Sequence, residues 1–276
     1  KNQKKTIYQK LKYLFINYEK KNYILAKSEI SNRNKLFKFQ FNSIINHLIF
    51  PSESFAKYFL SHEKLNTPIS IINHGIKLPK KEINKKSVDD RSIKILYTGG
   101  IRKEKGWDII QSVFKRLFDE GVKNIKLRIY GDRQQAAKSI LKKYESVEFF
   151  EHYNPDELSS VFSWADLAIA PTYFETFCRV VREYITYEVV PITTPAFGIT
   201  EIIKDKYNGI LLNKPYEQDL YKSLKNLISD PQNIKNLKKG IKKTIIDSDE
   251  EEYTKLILLY KSIISSKNNI NQKNDN

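Results

Sequence analysis

Short apolar segments alternate with amphipathic segments from about residue 69 to the end of the chain. Apolar runs flanked by Gly, Pro or polar residues predict strands, and apolar positions three and four apart predict helices. Strands are predicted at Ser70–Asn73, Ile93–Tyr97, Lys126–Tyr130, Val147–Phe150, Leu167–Ala170, Val189–Thr193 and Ile210–Leu212. Helices are predicted at Trp107–Phe118, Gln134–Tyr144, Pro155–Ser163, Val180–Tyr187, 216–228, 231–245 and 249–265. This alternation predicts a doubly wound parallel α/β sheet of the Rossmann-like type.

The first third of the chain has a different pattern. Residues 6–29 carry Ile, Leu, Phe and Tyr at helical spacing beside many lysines, and a second helical stretch runs to about Phe41. An apolar run ends at Phe50 before Pro51, and Ser52 is expected to cap a following helix. We therefore divide the chain into a basic, partial N-terminal domain (1–75), an α/β domain (76–248) and a C-terminal helix with a tail (249–276). The segment Pro79–Arg91, near the start of the α/β domain, is a polar connector, and the tail Lys267–Asn276 is expected to be disordered.

The amino-acid composition indicates the compartment in which the protein is expected. A single cysteine, Cys178, excludes a disulfide framework and is typical of a reducing compartment. No apolar run reaches the ~20 residues that span a bilayer, and no secretory leader is visible. We therefore expect a cytoplasmic protein. The chain begins at Lys1 and contains no Met, so we expect it to be part of a longer protein.

Positive charge is concentrated near the N-terminus. Residues 1–95 hold 20 Lys and Arg against 7 Asp and Glu, whereas the rest of the chain holds 28 against 25. A basic region attracts polyanions such as nucleic acid, an anionic membrane face or a phosphorylated substrate. The alternative is a solvated, lysine-rich surface without a dedicated partner.

Three loops after predicted strands carry candidate chemistry. The first contains Gly99, Gly100, Arg102 and Lys105, whose backbone N–H groups and cations suit a phosphate, although it matches neither a P-loop nor a dinucleotide fingerprint. The second contains Gly131 and Asp132, and Asp132 is interpreted first as a helix cap.

The third loop contains Glu175, followed eight residues later by Glu183 in the next helix. A carboxylate can accept hydrogen bonds from two neighbouring hydroxyls, which suits a sugar or ribose. The alternative is that Glu183 forms an ion pair with Arg179 or Arg182 on the helix surface.

The order of these features resembles the donor-binding half of glycosyltransferase family 4, which has the GT-B fold. The resemblance covers roughly residues 45–212. Its most specific part is the pair Glu175 and Glu183 within the segment FETFCRVVREYI, followed by FGITEII. It implies a retaining transfer of sugar from a nucleotide-diphosphate sugar, with no cofactor and no obligatory metal.

The resemblance also implies a role for each candidate residue. Glu175 and Lys105 would be catalytic. The family commonly has an Arg at the position of Gly100, and Arg102 would be the catalytic residue that takes its place. Glu183 would hold the ribose hydroxyls. The remaining donor-binding residues would be Gly99, Gly100, Gly131, Asp132, Thr176 and Phe177, with His152 and Tyr153 near the base. The chain departs from the family at Tyr184, where Ala is usual, and at Glu188, where Gly is usual.

The acceptor side is largely missing from this chain, because a GT-B enzyme has two doubly wound domains of ~150–200 residues each. We expect a missing N-terminal half or a partner subunit to complete it. The acceptor would be a glycan, a lipid-phosphate or a protein, and the basic first third suggests peripheral association with an anionic membrane at the inner face. Two alternatives remain: a polyanion-binding module for RNA or membrane, and a catalytically silent subunit of a transferase pair. We do not expect nucleic acid to be the partner.

Overall fold

The computed structural model describes residues 45–62, 67–79, 92–154, 156–214 and 216–274. The helices predicted before Phe41 and most of the connector Pro79–Arg91 lie outside the described residues. Two compact units are present, one of residues 1–48 and 60–70 and one of residues 49–59 and 71–276. The domain boundaries inferred from the sequence stay a prediction.

Eight strands and eight α-helices are described. The strands are β1 (Leu48–Phe50), β2 (Ile69–Ile71), β3 (Ile93–Tyr97), β4 (Ile125–Tyr130), β5 (Val147–Phe150), β6 (Leu167–Ala170), β7 (Val190–Thr193) and β8 (Ile210–Leu211). The helices are α1 (Glu53–His62), α2 (Trp107–Asp119), α3 (Arg133–Ala137), α4 (Leu158–Ser163), α5 (Arg179–Thr186), α6 (Tyr216–Ser229), α7 (Gln232–Ile241) and α8 (Asp249–Asn274). Short 3-10 helices lie at Lys103–Lys105 and Ile140–Lys143.

Six strands form one parallel sheet in the order β5-β4-β3-β6-β7-β8, and β1 and β2 form a separate pair. The chain adds strands outward from β3 to β5, returns to place β6 beside β3, and then proceeds in the other direction. Every residue of β6 and β7 is buried, as expected for strands covered on both faces. The predicted doubly wound α/β sheet is confirmed.

Helix α2 shows how the pattern produces this packing. Gly106 precedes it with a φ of 76°, a left-handed conformation that glycine adopts without a Cβ penalty. Trp107, Ile110, Phe114 and Leu117 then recur at helical spacing and are buried in the core. The amphipathic stripe therefore faces the sheet, as its period predicts.

Three predicted elements were wrong in detail. The single helix Gln134–Tyr144 is interrupted, because the Ser139 hydroxyl accepts a hydrogen bond from the Leu141 N–H at 3.2 Å and begins a new turn. The helix predicted from Pro155 begins at Leu158. The tail predicted to be disordered continues α8 to Asn274, since no Gly or Pro interrupts residues 249–274.

Two of the departures from the family have structural counterparts at the end of α5. Glu188 follows this helix with a φ of 55°, a conformation that explains why glycine suits this turn. Tyr184 is fully buried beside Phe162, with ring centroids 5.6 Å apart. The large side chain at 184 is thus part of the core rather than of the surface.

Candidate functional site

A cleft opens at the carboxyl ends of β3 and β6. The chain leaves these neighbouring strands in opposite directions along the sheet, which is the switch point where open α/β sheets bind ligands. The cleft has a volume of about 270 Å³. It is lined by Thr98, Gly99, Lys105, Ala170, Thr172, Glu175, Cys178, Arg179 and Val180.

The Tyr97 side chain holds the glycine loop that follows β3. The buried Tyr97 hydroxyl donates to the Gly100 carbonyl at 2.6 Å and to the Lys105 carbonyl at 3.3 Å. The Thr172 hydroxyl donates to the Glu104 carbonyl at 3.1 Å, which ties this loop to the one after β6. Both walls of the cleft are therefore held by hydrogen bonds from the strand ends.

Lys105 and Glu175 face each other across this cleft. The Lys105 ammonium forms an ion pair with Glu175 Oε1, although the residues are seventy positions apart. Their side chains are 26% and 17% exposed, so water screens the pair only partly. The cleft thus holds a cation and an acceptor oxygen within reach of one ligand.

Glu183 lies on α5, with a side chain that is only 13% exposed. Arg179 Nε is 3.3 Å from Glu183 Oε1, and Arg179 Nη2 is 3.7 Å from Asp249 Oδ1. Burial raises the pKa of the Glu183 carboxyl above its usual value, and Arg179 opposes that shift. The ion pair with Arg179, which the sequence left as the alternative, is therefore observed.

The loop between Glu175 and α5 includes two predicted donor-binding residues. The Ser52 hydroxyl donates to the Thr176 carbonyl at 2.6 Å. Phe177 is buried, and its ring meets His74 edge to face at a centroid distance of 5.3 Å. The Phe177 side chain thus packs inside the protein, and the backbone carbonyls of both residues already accept hydrogen bonds.

The other predicted residues take different positions around the cleft. Gly100 has a φ of 77° in the turn of the loop. Arg102 is half exposed, lies 3.7 Å from Glu104, and is not among the cleft residues. Gly131 is buried, and a Cβ there would lie 2.9 Å from Ile101 Cγ1. Asp132 is exposed, and its Oδ1 accepts from the Gln135 N–H at 3.0 Å as the predicted cap of α3.

His152 and Tyr153 follow β5. His152 is exposed, whereas Tyr153 is half-buried, with its ring 5.5 Å from Tyr130 and 5.8 Å from Phe162. Burial raises the pKa of the Tyr153 hydroxyl, and the nearby Glu183 carboxylate adds to the shift. Tyr153 and Glu183 therefore share one environment, while His152 faces solvent.

Several cleft residues were not identified from the sequence. Thr98, directly after β3, forms a hydrogen bond of 2.8 Å with the hydroxyl of Tyr184. Thr172 and Arg179 also line the cleft. Their positions directly after a strand or at the first turn of a helix are the signal that could have marked them.

A second cleft of about 380 Å³ shares Thr172 and Glu175 with the first. It lies towards the end of β7 and is lined by Ser54, Thr172, Tyr173, Phe174, Glu175, Thr194, Pro195, Ala196, Phe197, Thr200 and Tyr216. Aromatic and hydroxyl side chains make up most of this lining. Glu175 therefore lies at the boundary of two clefts.

Neither a metal site nor a membrane-spanning helix is found in the part of the chain that the structure describes. No group of three or more His, Cys, Asp or Glu side chains there is arranged to hold a metal ion. Nor does that part contain a helix with the length and apolar character needed to cross a membrane.

The sequence of residues 79–244 matches the family model for glycosyl transferases group 1, which includes the whole cleft. The chain belongs to this family. Its relatives include an uncharacterized 41.2 kDa protein of the cps region of Klebsiella pneumoniae, 29% identical over 48% of this chain and 36% of that protein. A GDP-mannose-dependent alpha-mannosyltransferase of Corynebacterium glutamicum is 28% identical over 42% of this chain and 27% of its own length. The matches thus span about a third of these curated relatives.

Solved structures share the fold of this group 1 glycosyltransferase domain. Sucrose-phosphate synthase from Thermosynechococcus elongatus superposes with a TM-score of 0.70 at 16% identity, covering 86% of this chain and 62% of that one. The Anabaena protein HepE, solved in complex with UDP and glucose, superposes with a TM-score of 0.65 at 15% identity, covering 84% and 67%. The parallel sheet is therefore the Rossmann-like fold of GT-B glycosyltransferases.

Proposed function

We propose that the chain is the donor-binding part of a retaining glycosyltransferase of family 4 that uses a nucleotide-diphosphate sugar. The observation that carries the proposal is the facing pair of Lys105 and Glu175 at the switch point between β3 and β6, with Glu183 buried on the adjoining helix. Membership of the group 1 family supports it, as does a relative described as GDP-mannose-dependent.

The diphosphate would lie against Gly99, Gly100 and Lys105. Transfer breaks the bond between the anomeric carbon and the diphosphate oxygen, and negative charge grows on that oxygen. An ammonium held in a partly dry cleft stabilises such charge with little reorganisation. Lys105 is paired with Glu175 in the structure, so the diphosphate would compete for its hydrogen bonds. Arg102 would reach the diphosphate only by leaving Glu104.

The sugar and the nucleoside would occupy opposite ends of this site. Glu175 would accept hydrogen bonds from hydroxyls of the transferred sugar, beside Thr176 and Phe177. Glu183 would accept from the ribose hydroxyls, and the base would lie near His152 and Tyr153, past Gly131 and Asp132. In a retaining transfer the acceptor oxygen bonds to the anomeric carbon on the face that the diphosphate leaves, and its proton passes to the leaving phosphate.

The acceptor would be a glycan, a lipid-phosphate or a protein, bound with the help of an N-terminal half or a partner subunit. The charge of the first 95 residues suggests an anionic membrane face as the place of action. No metal or cofactor is assigned a role.

The test is thermal stability of the purified chain with UDP, GDP, ADP, their glucose or mannose derivatives and a short RNA, at low and high salt. A ligand at 100 times its Kd adds about 2.7 kcal/mol of stability. Wild type is compared with Lys105→Met, which removes the ammonium that faces Glu175 in the cleft. Lys115→Met is the matched control, since Lys115 pairs with Asp119 on the exposed face of α2.

Selective stabilisation by one nucleotide sugar, reduced in Lys105→Met and unchanged in Lys115→Met, would support the proposal and identify the base. Stabilisation by RNA alone, lost at high salt and equal in both variants, would replace it with polyanion binding.

A further inference from the structure

Arg182 is a buried cation on α5, between Arg179 and Glu183. It is 3% exposed. Its guanidinium lies 3.5 Å over the ring of Phe177 and donates a hydrogen bond from Nη1 to the Phe177 carbonyl. Burial lowers its pKa to about 10, so it remains charged at neutral pH. Among the residues that the structure describes, no carboxylate lies within 4.0 Å of this guanidinium.

A charge without a close counter-ion costs stability in a protein interior. The contacts of Arg182 are also directed to one place, the segment 176–178 that joins Glu175 to α5. The guanidinium thus makes both its hydrogen bond and its stacking contact with one loop residue, Phe177.

That segment is held in a demanding conformation. Cys178 has a φ of 56°, which costs about 1–2 kcal/mol for a residue with a side chain. Gly198 approaches so closely that a Cβ on it would lie 2.7 Å from the Phe177 Cα. Ser52 holds the Thr176 carbonyl at 2.6 Å on one side, and Arg182 holds the next carbonyl on the other. A strained backbone persists only where neighbouring groups over-determine it.

We infer that Arg182 is a positioning residue: its guanidinium clamps the 176–178 segment so that Glu175 faces Lys105 and the sugar end of the cleft. The importance of this role for catalysis rests on the proposed function. The clamp itself does not, because it consists of contacts within the chain. The clamp predicts that losing Arg182 disturbs the sugar end of the site and leaves the nucleoside end in place.

The first experiment uses the thiol of Cys178, the single cysteine of the chain and a member of the clamped segment. The thiol is buried, and burial raises its pKa to about 12, so it should react slowly with Ellman's reagent. In Arg182→Met, an unbranched side chain replaces the guanidinium. Losing a charge-assisted hydrogen bond should make opening of the segment about ten times more frequent, and thiol reaction correspondingly faster.

Electrostatics alone would give the opposite result. The charge of Arg182 favours the Cys178 thiolate, so removing it should slow the reaction unless the segment opens. Arg116→Met is the matched control, because Arg116 also stacks on an aromatic ring, 3.7 Å above Tyr221, but lies on the surface of α2. Arg182→Lys keeps the charge without the planar fork and should react at an intermediate rate. It also serves if the Met variant does not fold.

The second experiment measures Kd by calorimetry for UDP, UDP-glucose, UDP-N-acetylglucosamine, GDP and GDP-mannose. If Arg182→Met displaces Glu175, the hydrogen bond that Glu175 accepts from the sugar is lost. For the pair that binds wild type, the nucleotide sugar should then bind about tenfold more weakly and the free diphosphonucleotide less than twofold. Equal weakening of both ligands would indicate general loss of structure and overturn the positioning role. An unchanged thiol rate in both Arg182 variants would overturn the clamp whatever the ligands do. If wild type binds none of the five probes, and neither ADP nor its glucose derivative, the proposed function fails, while the thiol rates still decide the clamp.

Discussion

The substitution Glu183→Gln tests whether the buried carboxylate on α5 recognises ribose. It keeps the shape of the side chain and removes the charge. Glu183 is 13% exposed, and one of its oxygens is 3.3 Å from Arg179 Nε, so at least one oxygen can accept from a ligand hydroxyl. A hydrogen bond to a charged group contributes about 1.5–3 kcal/mol, and a neutral one about 0.5–1.5 kcal/mol. Because Gln keeps one acceptor oxygen, the variant should bind the preferred nucleoside diphosphate about tenfold more weakly.

The assay is calorimetric titration of wild type and Glu183→Gln with the nucleoside diphosphate and with its 2′-deoxy and 3′-deoxy forms. In wild type, loss of the contacted hydroxyl should weaken binding at least as much as the mutation does. In the variant the same deoxy ligand should be weakened less than it is in wild type, because the hydrogen bond that it lacks there is only a neutral one. Additive losses, with each deoxy ligand weakened as much in the variant as in wild type, would refute the assignment of ribose to Glu183.

Three further predictions concern stability. Because burial raises the pKa of Glu183, its charge destabilises the folded chain above that raised pKa. Glu183→Gln should thus have a larger free energy of unfolding in urea than wild type at pH 7. The difference should shrink as the pH falls towards the pKa of Glu in the unfolded chain, about 4.3. A difference that grows on acidification would contradict this. Gly106→Ala and Gly121→Ala both place Ala at positive φ, but only at 106 would the new Cβ collide with backbone. In urea, the free energy of unfolding should fall by ~1 kcal/mol at 121 and by a further ~1–3 kcal/mol at 106. Equal losses in the two variants would be inconsistent with the crowding at 106. Tyr184→Phe removes a buried hydroxyl bond of 2.8 Å and should cost ~1–2 kcal/mol, whereas Tyr253→Phe, at a side chain 65% exposed, should leave the free energy of unfolding unchanged.

Much of the sheet could be predicted from the sequence because its strands are locally distinctive. Ile93–Tyr97 and Leu167–Ala170 are apolar runs of strand length, and both were predicted with their observed bounds. Gln134–Tyr144 was predicted as one helix because its composition suits a helix throughout. The break at Ser139 depends on a side chain that competes for the backbone N–H of Leu141, a choice that periodicity does not reveal.

The candidate site divides in the same way. Glycines and charged residues directly after strands mark the edge of the sheet where a ligand is expected, so Gly99, Lys105 and Glu175 could be proposed before any fold was known. Their meeting could not be derived from spacing, because seventy residues separate Lys105 from Glu175 and only the strand order brings β3 beside β6.

Local pattern determined the class of fold, the positions of most helices and strands, and the loops in which function was expected, because those properties depend on neighbours along the chain. Tertiary structure alone decided which charges are buried and which pair between distant parts of the chain. Arg182 and Arg179 are three residues apart on one short helix, yet one is 3% exposed in the core and the other lines the cleft. Burial and long-range ion pairs such as Lys105–Glu175 arise from groups distant in sequence, and these determine what each side chain can do.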